Sequence, residues 1–499
     1  MKGYATFFLI AVMSLGLAFL LVTRARTPYD APAADPEIVE AADAGDGGKD
    51  GGALAANDAA VEAAPPKPTE RPLRVAALGW ELVAAGVALT APDGGAIGPA
   101  LELAPEATLE AVEARLARGG NDPVGADIAV LPLPAFVLAY DRLRALDPRA
   151  FVVVGFSRGR EEVHAAPGAL LKSPPAADEV KLVALGPATA ADATARAAGS
   201  ESATMLGLFA LDLLGVAPAR VRLVAPGAPE AKAAPFAAIV RGATDERKLA
   251  LSSADASRFV PIVAIAPKAQ LDSSEAKMRD FARAWLEGID RAGKDASNVA
   301  RRLANKEALP LAAGVGGAPE AISLLERLGQ IVPAGLAPQR SLMGAAAKGA
   351  VTLEALTQRQ WTLARACGLT SGAAPSPLPV DDRIVTVIAP APAAPSHESA
   401  GDAGADAGTF AALPAGTTPL VAYRADPTSD AATVVAQIGF LAGVFERAAF
   451  RVTAKGGDKA ARAMAAAARD RFDLPASRLA TAAGEPAGAF AVVEVLALP

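Results

Sequence analysis

A run of hydroxyl side chains opens one predicted helix and could bind a polar ligand. The run GSESAT, residues 199–204, precedes a helical pattern that extends from Ser200 to Leu214. Ser200 can cap this helix, while Ser202 and Thr204 add hydroxyls beside its free backbone N–H groups. Those N–H groups and the helix dipole favour anionic or polar ligands. The alternative interpretation is an ordinary serine cap.

A second candidate is the run GFSRG, residues 155–159, which matches the G-x-S-x-G pattern of a hydrolase nucleophile. That pattern requires a helix directly after the serine and a histidine late in the chain. A strand-like run follows instead, and the only histidines are His164 and His397. A hydrolase using Ser157 is therefore not expected. We interpret Ser157, Arg158 and Arg160 as residues at the crossing between two lobes, where an arginine could meet an anionic ligand, with a solvated surface arginine as the alternative.

Three other predicted strand ends carry candidate ligand contacts. Gly79 would let the backbone approach a ligand and Trp80 would form a wall, although a tryptophan here can also be core. Pro132, at another strand end, could line a cleft or simply stop its strand. Ser252 and Ser253 could present hydroxyls to a cleft, or form a plain turn.

The elements that must position these residues alternate between strand and helix from Pro72 to Val387. Strand patterns cover Leu73–Leu78, Leu101–Leu103, Asp127–Leu131, Phe151–Gly155, Lys181–Leu185, Val221–Val224, Lys248–Leu251 and Val260–Ala266. A capping box predicts a helix that begins at Asp272. After about residue 292 the strands cease, and helices follow up to Thr352–Ala366. The pattern predicts two α/β lobes with helices packed on both, and such sheets bind ligands at the carboxyl ends of strands.

The remaining segments suggest a tether and a further domain. Residues 4–22 are uncharged and long enough to cross a bilayer, which needs about 20 residues. They predict an inner-membrane anchor within residues 1–26, with the bulk of the chain in the periplasm; a cleaved signal peptide or a buried helix are alternatives. Residues 27–70 and 389–412 are rich in Ala, Asp, Gly and Pro and are predicted to be linkers. Residues 413–499 follow a β-α-β-α-β pattern.

Composition excludes several classes of function. The formal net charge of -6 provides no basic field for nucleic acid. The sequence has a single cysteine, Cys367, and two histidines, so Cys-built and His-rich metal sites are excluded. No P-loop or dinucleotide fingerprint occurs. We therefore expect no metal, no cofactor and no catalysis.

Residues 71–388 resemble the nitrate/sulfonate/taurine-type substrate-binding proteins of ABC transporters. The resemblance rests on the order and spacing of LRVAALGW, GADIAVLPLPAF, GSESAT, LLGVAPARVRLV, WLEG and VTLEALTQRQWTLARACGLTSG. It implies a two-lobed, type II periplasmic-binding-protein-like α/β fold that closes on a small polar or anionic ligand and serves an ABC transporter permease. The same resemblance implies that Gly79, Trp80, Pro132, Ser200 and Ser253 face the cleft. The anchor and the C-terminal domain depart from a simple member of the family.

Residues 413–499 resemble a degenerate OmpA-like, peptidoglycan-associated module. The layout of KGGDKAARAMAAAARDRFDLPASRL, which begins at Lys455, carries this resemblance. It implies that Asp458 contacts the wall peptide, whereas Arg462 and Arg469 compete for the expected arginine. Two functions stay open: a tethered solute-binding protein, or a structural or sensory envelope protein that links the inner membrane and the cell wall.

Overall fold

The structure is a computed structural model that describes residues 71–90, 98–167, 169, 175, 178–185, 200–243, 245–306, 309–344, 351–389, 417 and 419–498. These residues belong to one unit, Thr69–Pro499. The predicted anchor at residues 4–22 and the predicted linkers lie outside the described residues, apart from Ala389. Within the described ranges, no helix has the length and apolar character needed to cross a membrane.

The first lobe is built on a mixed six-stranded sheet. Its first four strands and their helices are β1 (Leu73–Leu78), α1 (Ala84–Leu89), β2 (Leu101–Glu106), α2 (Leu109–Arg118), β3 (Ile128–Pro132), α3 (Leu133–Leu143) and β4 (Pro148–Ser157). β1 pairs in parallel with β2 and with β3. β3 is buried throughout, as expected for a strand covered on both faces.

The second lobe is a smaller α/β unit. Its elements are β5 (Glu161–Ala165), β6 (Val180–Leu185), α4 (Glu201–Leu213), β7 (Val221–Val224), β8 (Phe236–Val240) and β9 (Lys248–Ser252). The strand order is β7-β6-β8-β5-β9. β8 was not predicted, because a five-residue apolar run is ambiguous between strand and helix. It is fully buried at the centre of this sheet.

The chain crosses between the lobes twice. The first crossing runs from Ser157 to Glu161, and the second runs from Ser252 to Pro261. After the second crossing, β10 (Pro261–Pro267) enters the first sheet and pairs antiparallel with β3 and β4. The predicted order of two α/β lobes is therefore confirmed. The expectation that strands cease after about residue 292 is wrong, because β11 (Ile331–Pro333) pairs with β4.

Helices complete both lobes. They are α5 (Lys268–Ser273), α6 (Glu275–Lys294), α7 (Ala296–Asn305), α8 (Ala321–Leu328), α9 (Gln339–Met343), α10 (Leu353–Ala366) and α11 (Arg383–Ile388). Asp272 does not begin a helix as predicted; it lies inside α5 and pairs with Lys268 and Arg383. α10 contacts both lobes: Trp361 packs edge-on against Tyr140 of α3 at 5.1 Å, and Arg359 pairs with Asp212 of α4.

Residues 419–498 form a third sheet with two helices. Its elements are β12 (Pro419–Arg424), α12 (Ala431–Val444), β13 (Ala448–Ala454), α13 (Gly457–Phe472), β14 (Leu479–Thr481) and β15 (Ala491–Ala497). The strand order is β12-β15-β13-β14, so the predicted pattern gains one strand, β14. Gly439 allows close packing of the helices, because a Cβ there would lie 2.3 Å from the Phe472 ring. We call residues 419–498 the C-terminal domain.

Candidate ligand-binding cleft

A cleft of about 1180 Å³ lies between the two lobes. The first lobe contributes residues 78–81, 106–108 and parts of 317–330; the crossings contribute residues 158–160 and 254; the second lobe contributes residues 240–242. Small-molecule sites typically occupy about 300–1,000 Å³, so the cleft can hold a small solute together with water. Both crossings reach this cleft, so a change in the lobe angle would alter its shape.

The turn after β1 places the side chains of Trp80 and Glu81 at the cleft. Gly79 has a φ of 111°, a conformation that glycine adopts without steric cost. Its N–H donates to the carbonyl oxygen of Glu106 at 2.9 Å, which fixes the turn to the end of β2. A Cβ at Gly79 would lie 2.6 Å from Oε1 of Glu81. The glycine is therefore required for the Trp80–Glu81 turn to fold back over its own strand end.

Glu81 is a buried carboxylate in the wall of the cleft. Its side chain is only 1% exposed, and its Oε1 accepts a hydrogen bond from Nη1 of Arg160 at 2.8 Å. Nη1 of Arg327 lies 3.7 Å from Oε2, which accepts no hydrogen bond. A buried carboxylate is costly unless it is paired. Glu81 thus faces two cleft arginines, Arg160 of the first crossing and Arg327 of the first lobe.

Arg160 keeps its charge in this setting. Burial lowers the pKa of the guanidinium, but the negative charges of Glu81, Glu161 and Glu201 outweigh that effect and raise the pKa overall. Arg160 therefore presents a protonated guanidinium to Glu81 throughout the ordinary pH range.

Two further arginines lie at the cleft surface, one on the first crossing and one after a strand of the second lobe. Arg158 follows β4 and Arg241 follows β8, and both side chains are exposed. The backbone N–H of Arg241 donates to the carbonyl oxygen of Arg160 at 2.7 Å. Nη1 of the Arg241 side chain lies 3.8 Å from a Cβ built on Gly159. In the described part of the chain, neither guanidinium has a hydrogen-bond or ion-pair partner. Unpaired guanidinium groups that line one cleft attract anions.

Of the residues singled out in the sequence, the structure brings Gly79, Trp80, Arg158 and Arg160 to the cleft. Trp80 is largely buried, and the Lys306 ammonium lies 5.8 Å from its ring centroid. The Trp80 side chain thus belongs to the core and also lines the cleft, so the two interpretations of this tryptophan are compatible. Whether these residues contact a ligand stays a prediction.

The predicted hydroxyl contacts at the crossings have other partners. Ser157 donates to Oε2 of Glu161 at 2.5 Å, and a strand rather than a helix follows it. Ser252 donates to Asp255 at 2.7 Å, which is the plain-turn alternative. Ser253 is fully buried and accepts from the N–H groups of Gly159 and Glu161 at 2.8 and 3.3 Å. Ser253 therefore connects the two crossings, whereas the hydroxyl bonds of Ser157 and Ser252 each lie within a single crossing.

The α4 hydroxyls and Pro132 also differ from expectation. Ser200 makes no side-chain capping hydrogen bond, although the sequence predicts a cap. Ser200, Ser202 and Thr204 are buried and do not line the cleft. Pro132 is buried where β3 turns into α3. The reason is packing: α4 is buried on almost its whole circumference, so its first turn faces protein.

Sequence reasoning missed the most informative cleft residues. Glu81 directly follows the Gly-Trp pair that was singled out, but a glutamate in a helical turn predicts solvent exposure. Arg241 follows the strand that was not predicted. Arg327 lies on α8, a helix whose relation to the cleft exists only in the folded chain. In the described ranges, no group of three or more His, Cys, Asp or Glu residues could hold a metal ion.

Asp458 lies in the first turn of α13, remote in sequence from the cleft. Its Oδ2 pairs with Arg462 at 2.8 Å, and its Oδ1 accepts from Oγ1 of Thr481 at 3.1 Å. The side chain is 40% exposed, so one face is open to solvent. Of the two competing arginines, Arg462 is thus the one that reaches Asp458, while Arg469 pairs with Asp470.

Among solved structures, the chain is similar to several binding proteins. No family model matches the chain, and no curated protein matches it. A ligand-binding component of an ABC-type import system from Staphylococcus aureus is 11% identical, with a TM-score of 0.39 over 64% of this chain and 99% of that one. The periplasmic aliphatic sulphonate binding protein from Escherichia coli is 14% identical, with a TM-score of 0.38 over 61% and 90%.

The periplasmic nitrate-binding protein from Synechocystis is 11% identical, with a TM-score of 0.32 over 48% of this chain and 66% of that one. The chain is similar to these proteins at low sequence identity. The fold of its two lobes is defined by their own sheets and the cleft between them.

Proposed function

We propose that this chain is a solute-binding protein that captures a small anionic ligand between its two lobes, without catalysis. The observation that carries the proposal is the pair Arg158 and Arg241. Each guanidinium is exposed at the inter-lobe cleft, and neither has an ionic or hydrogen-bonded partner in the described residues. An anion between them would receive charge-assisted hydrogen bonds from both.

Closure of the lobes would strengthen this binding. Arg158 lies where the chain leaves the first sheet, and Arg241 follows a strand of the second sheet. An anion held by both would pull the lobes together and exclude water, which makes each charged contact stronger. Rotation at two crossings is a hinge motion, the usual way in which such lobes close.

The cellular setting is proposed from the sequence. Residues 4–22 are proposed to anchor the chain in the inner membrane as a single pass, with the lobes in the periplasm. The resemblance to transport proteins suggests an ABC transporter permease as the partner. Nitrate, a sulfonate or bicarbonate would each fit the proposed charge.

The first experiment is a ligand screen on the full-length chain in detergent. Thermal unfolding is measured with nitrate, sulfate, methanesulfonate, acetate, phosphate and bicarbonate. A ligand at 100 times its dissociation constant should stabilise the folded state by about 2.7 kcal/mol. The hit is then titrated by calorimetry against wild type and against a variant with Arg158→Ala and Arg241→Ala.

The double variant should lose most of the binding. The control is Arg118→Ala, because Arg118 lies outside the cleft with a side chain that is 57% exposed. Equal affinity in the double variant and the control would refute a site at Arg158 and Arg241. Absence of any anion effect would favour the structural alternative.

That alternative is an envelope protein whose C-terminal domain contacts peptidoglycan. It is supported by the exposed face of Asp458 and by the Arg462 side chain paired with it. Retention of the full-length chain on purified peptidoglycan, lost on Asp458→Ala but kept on Asp470→Ala, would favour it. Asp470 is a suitable control because it is an exposed aspartate on the same helix.

A further inference from the structure

The C-terminal domain packs directly on the second crossing. The backbone N–H of Arg258 donates to the carbonyl oxygen of Val444 at 3.1 Å, and the Arg258 guanidinium pairs with Glu446. The same guanidinium lies 5.8 Å from the ring centroid of Phe156, the penultimate residue of β4 before the first crossing. Arg258 therefore connects the C-terminal domain with the second crossing and with the end of β4 in the first lobe.

An aromatic cluster continues this contact into the second lobe. We define the hinge aromatic cluster as Phe209 of α4, Phe259 of the second crossing, and Phe440 and Phe445 of the C-terminal domain. Phe209 stacks on Phe259 with ring centroids 4.1 Å apart. It also contacts Phe440 at 6.2 Å and Phe445 at 6.3 Å. The second lobe, the crossing and the C-terminal domain thus share one buried cluster.

The opposite end of the interface meets the first lobe. A Cβ on Gly443 would lie 2.6 Å from Cβ of Val351, so the two segments are in close contact. Val351 adjoins the same small cavity as Val153 and Phe156 of β4. The C-terminal domain therefore contacts both bodies that a hinge motion would move apart.

We propose that the C-terminal domain is a brace across the hinge that, in the protein without ligand, holds the two lobes in one relative orientation. Rotation of the lobes moves α4 relative to Val351, and the brace touches both. One of its two contacts must then slip or break. Packed interfaces resist gradual deformation, so the brace limits the population of other lobe orientations. This property goes beyond the proposed function, because it concerns the empty protein.

The test measures the lobe-to-lobe distance in the full-length chain without ligand. Spin labels are placed at Arg118→Cys in the first lobe and Ala233→Cys in the second, in a Cys367→Ser background. Both labelled positions are exposed. Two variants weaken the brace: Glu446→Gln together with Arg258→Met removes the ion pair, and Gly443→Ala inserts a methyl group against Val351.

The matched control is Gly293→Ala. It is also a glycine-to-alanine change inside a helix, and the nearest atom to the new Cβ is 3.9 Å away. We expect a narrow distance distribution in the unmutated chain and in the control. Both brace variants should broaden it or shift it by several ångströms, and amide exchange in residues 252–261 should accelerate at least tenfold.

Unchanged distance distributions in both variants would overturn the proposal. Exchange protection of β13 and β15 reports whether the C-terminal domain is folded in each variant. If that domain unfolds and the distribution still does not change, the proposal is wrong as well. If it unfolds and the distribution broadens, the proposal is supported. Ligand binding enters none of these measurements, so a failure of the proposed function is seen separately.

Discussion

Nη1 of Arg160 donates a hydrogen bond to Oε1 of Glu81 at 2.8 Å and so connects the turn after β1 with the first crossing. Residue 81 belongs to the first lobe, whereas residue 160 immediately precedes the first strand of the second lobe. The pair therefore lies where the two lobes meet in the cleft.

Glu81→Gln should destabilise the protein, because it leaves a partly buried guanidinium without its carboxylate. Breaking a fully buried ion pair costs about 3–5 kcal/mol, but Arg160 can regain some water, so we expect about 1–3 kcal/mol. Urea unfolding measures the loss. Asp290→Asn is the control, because it removes an exposed pair with Lys294 and should cost below about 0.5 kcal/mol. Equal losses in the two variants would contradict a structural role for Glu81.

Arg302→Met should destabilise the contact between α7 and α1. Nη1 of Arg302 donates to the carbonyl oxygens of Val87 and Thr90 at 3.0 and 2.9 Å, at the end of α1. Hydrogen bonds from a charged donor contribute about 1.5–3 kcal/mol, and the loss should be of that size. The adjacent Arg301 is exposed and bonds only Asn298 of its own helix among the described residues. Arg301→Met should therefore stay within about 0.5 kcal/mol of wild type in the same urea titration.

Ser253→Ala should loosen the two crossings. Its hydroxyl accepts from two backbone N–H groups, and unsatisfied buried donors cost about 1–3 kcal/mol. Ser200→Ala is the matched comparison: it is also a buried serine, but it makes no capping bond and should change stability by less than about 0.5 kcal/mol. Calorimetric unfolding of both variants compares them. A larger effect at Ser200 would restore the capping role that the sequence predicted.

Cys367 should react slowly with thiol reagents. Burial, and secondly the negative charge of Asp212, raise the pKa of its thiol to about 11 from an ordinary value of 9.0. Because only the thiolate reacts, the folded protein at pH 8 should be modified at least tenfold more slowly than the chain unfolded in urea. The rate should rise with pH up to about 11, where the thiol ionises. Equal rates in the folded and unfolded chain would contradict this.

The sequence by itself determined the local elements and their order. β1 (Leu73–Leu78) and β7 (Val221–Val224) match their predicted bounds, and β6 is reproduced to within one residue, because apolar runs bounded by turn residues encode strands locally. The same patterns predicted two α/β lobes followed by packed helices. The same patterns also identified Gly79, Trp80 and Arg158 as candidate cleft residues, since strand ends face the cleft in open α/β sheets.

The cleft's charge and the hinge contacts were decided only by the tertiary structure. Glu81, Arg160 and Arg327 are far apart in sequence, and only the packing of β1, the first crossing and α8 brings their charges within 4 Å. The hydroxyl run at Ser200 predicted a site; in the folded chain Ser200, Ser202 and Thr204 are buried, and their contact with a ligand stays a prediction. Partners distant in sequence leave no periodic signal, because periodicity reports which face is buried and not what it is buried against.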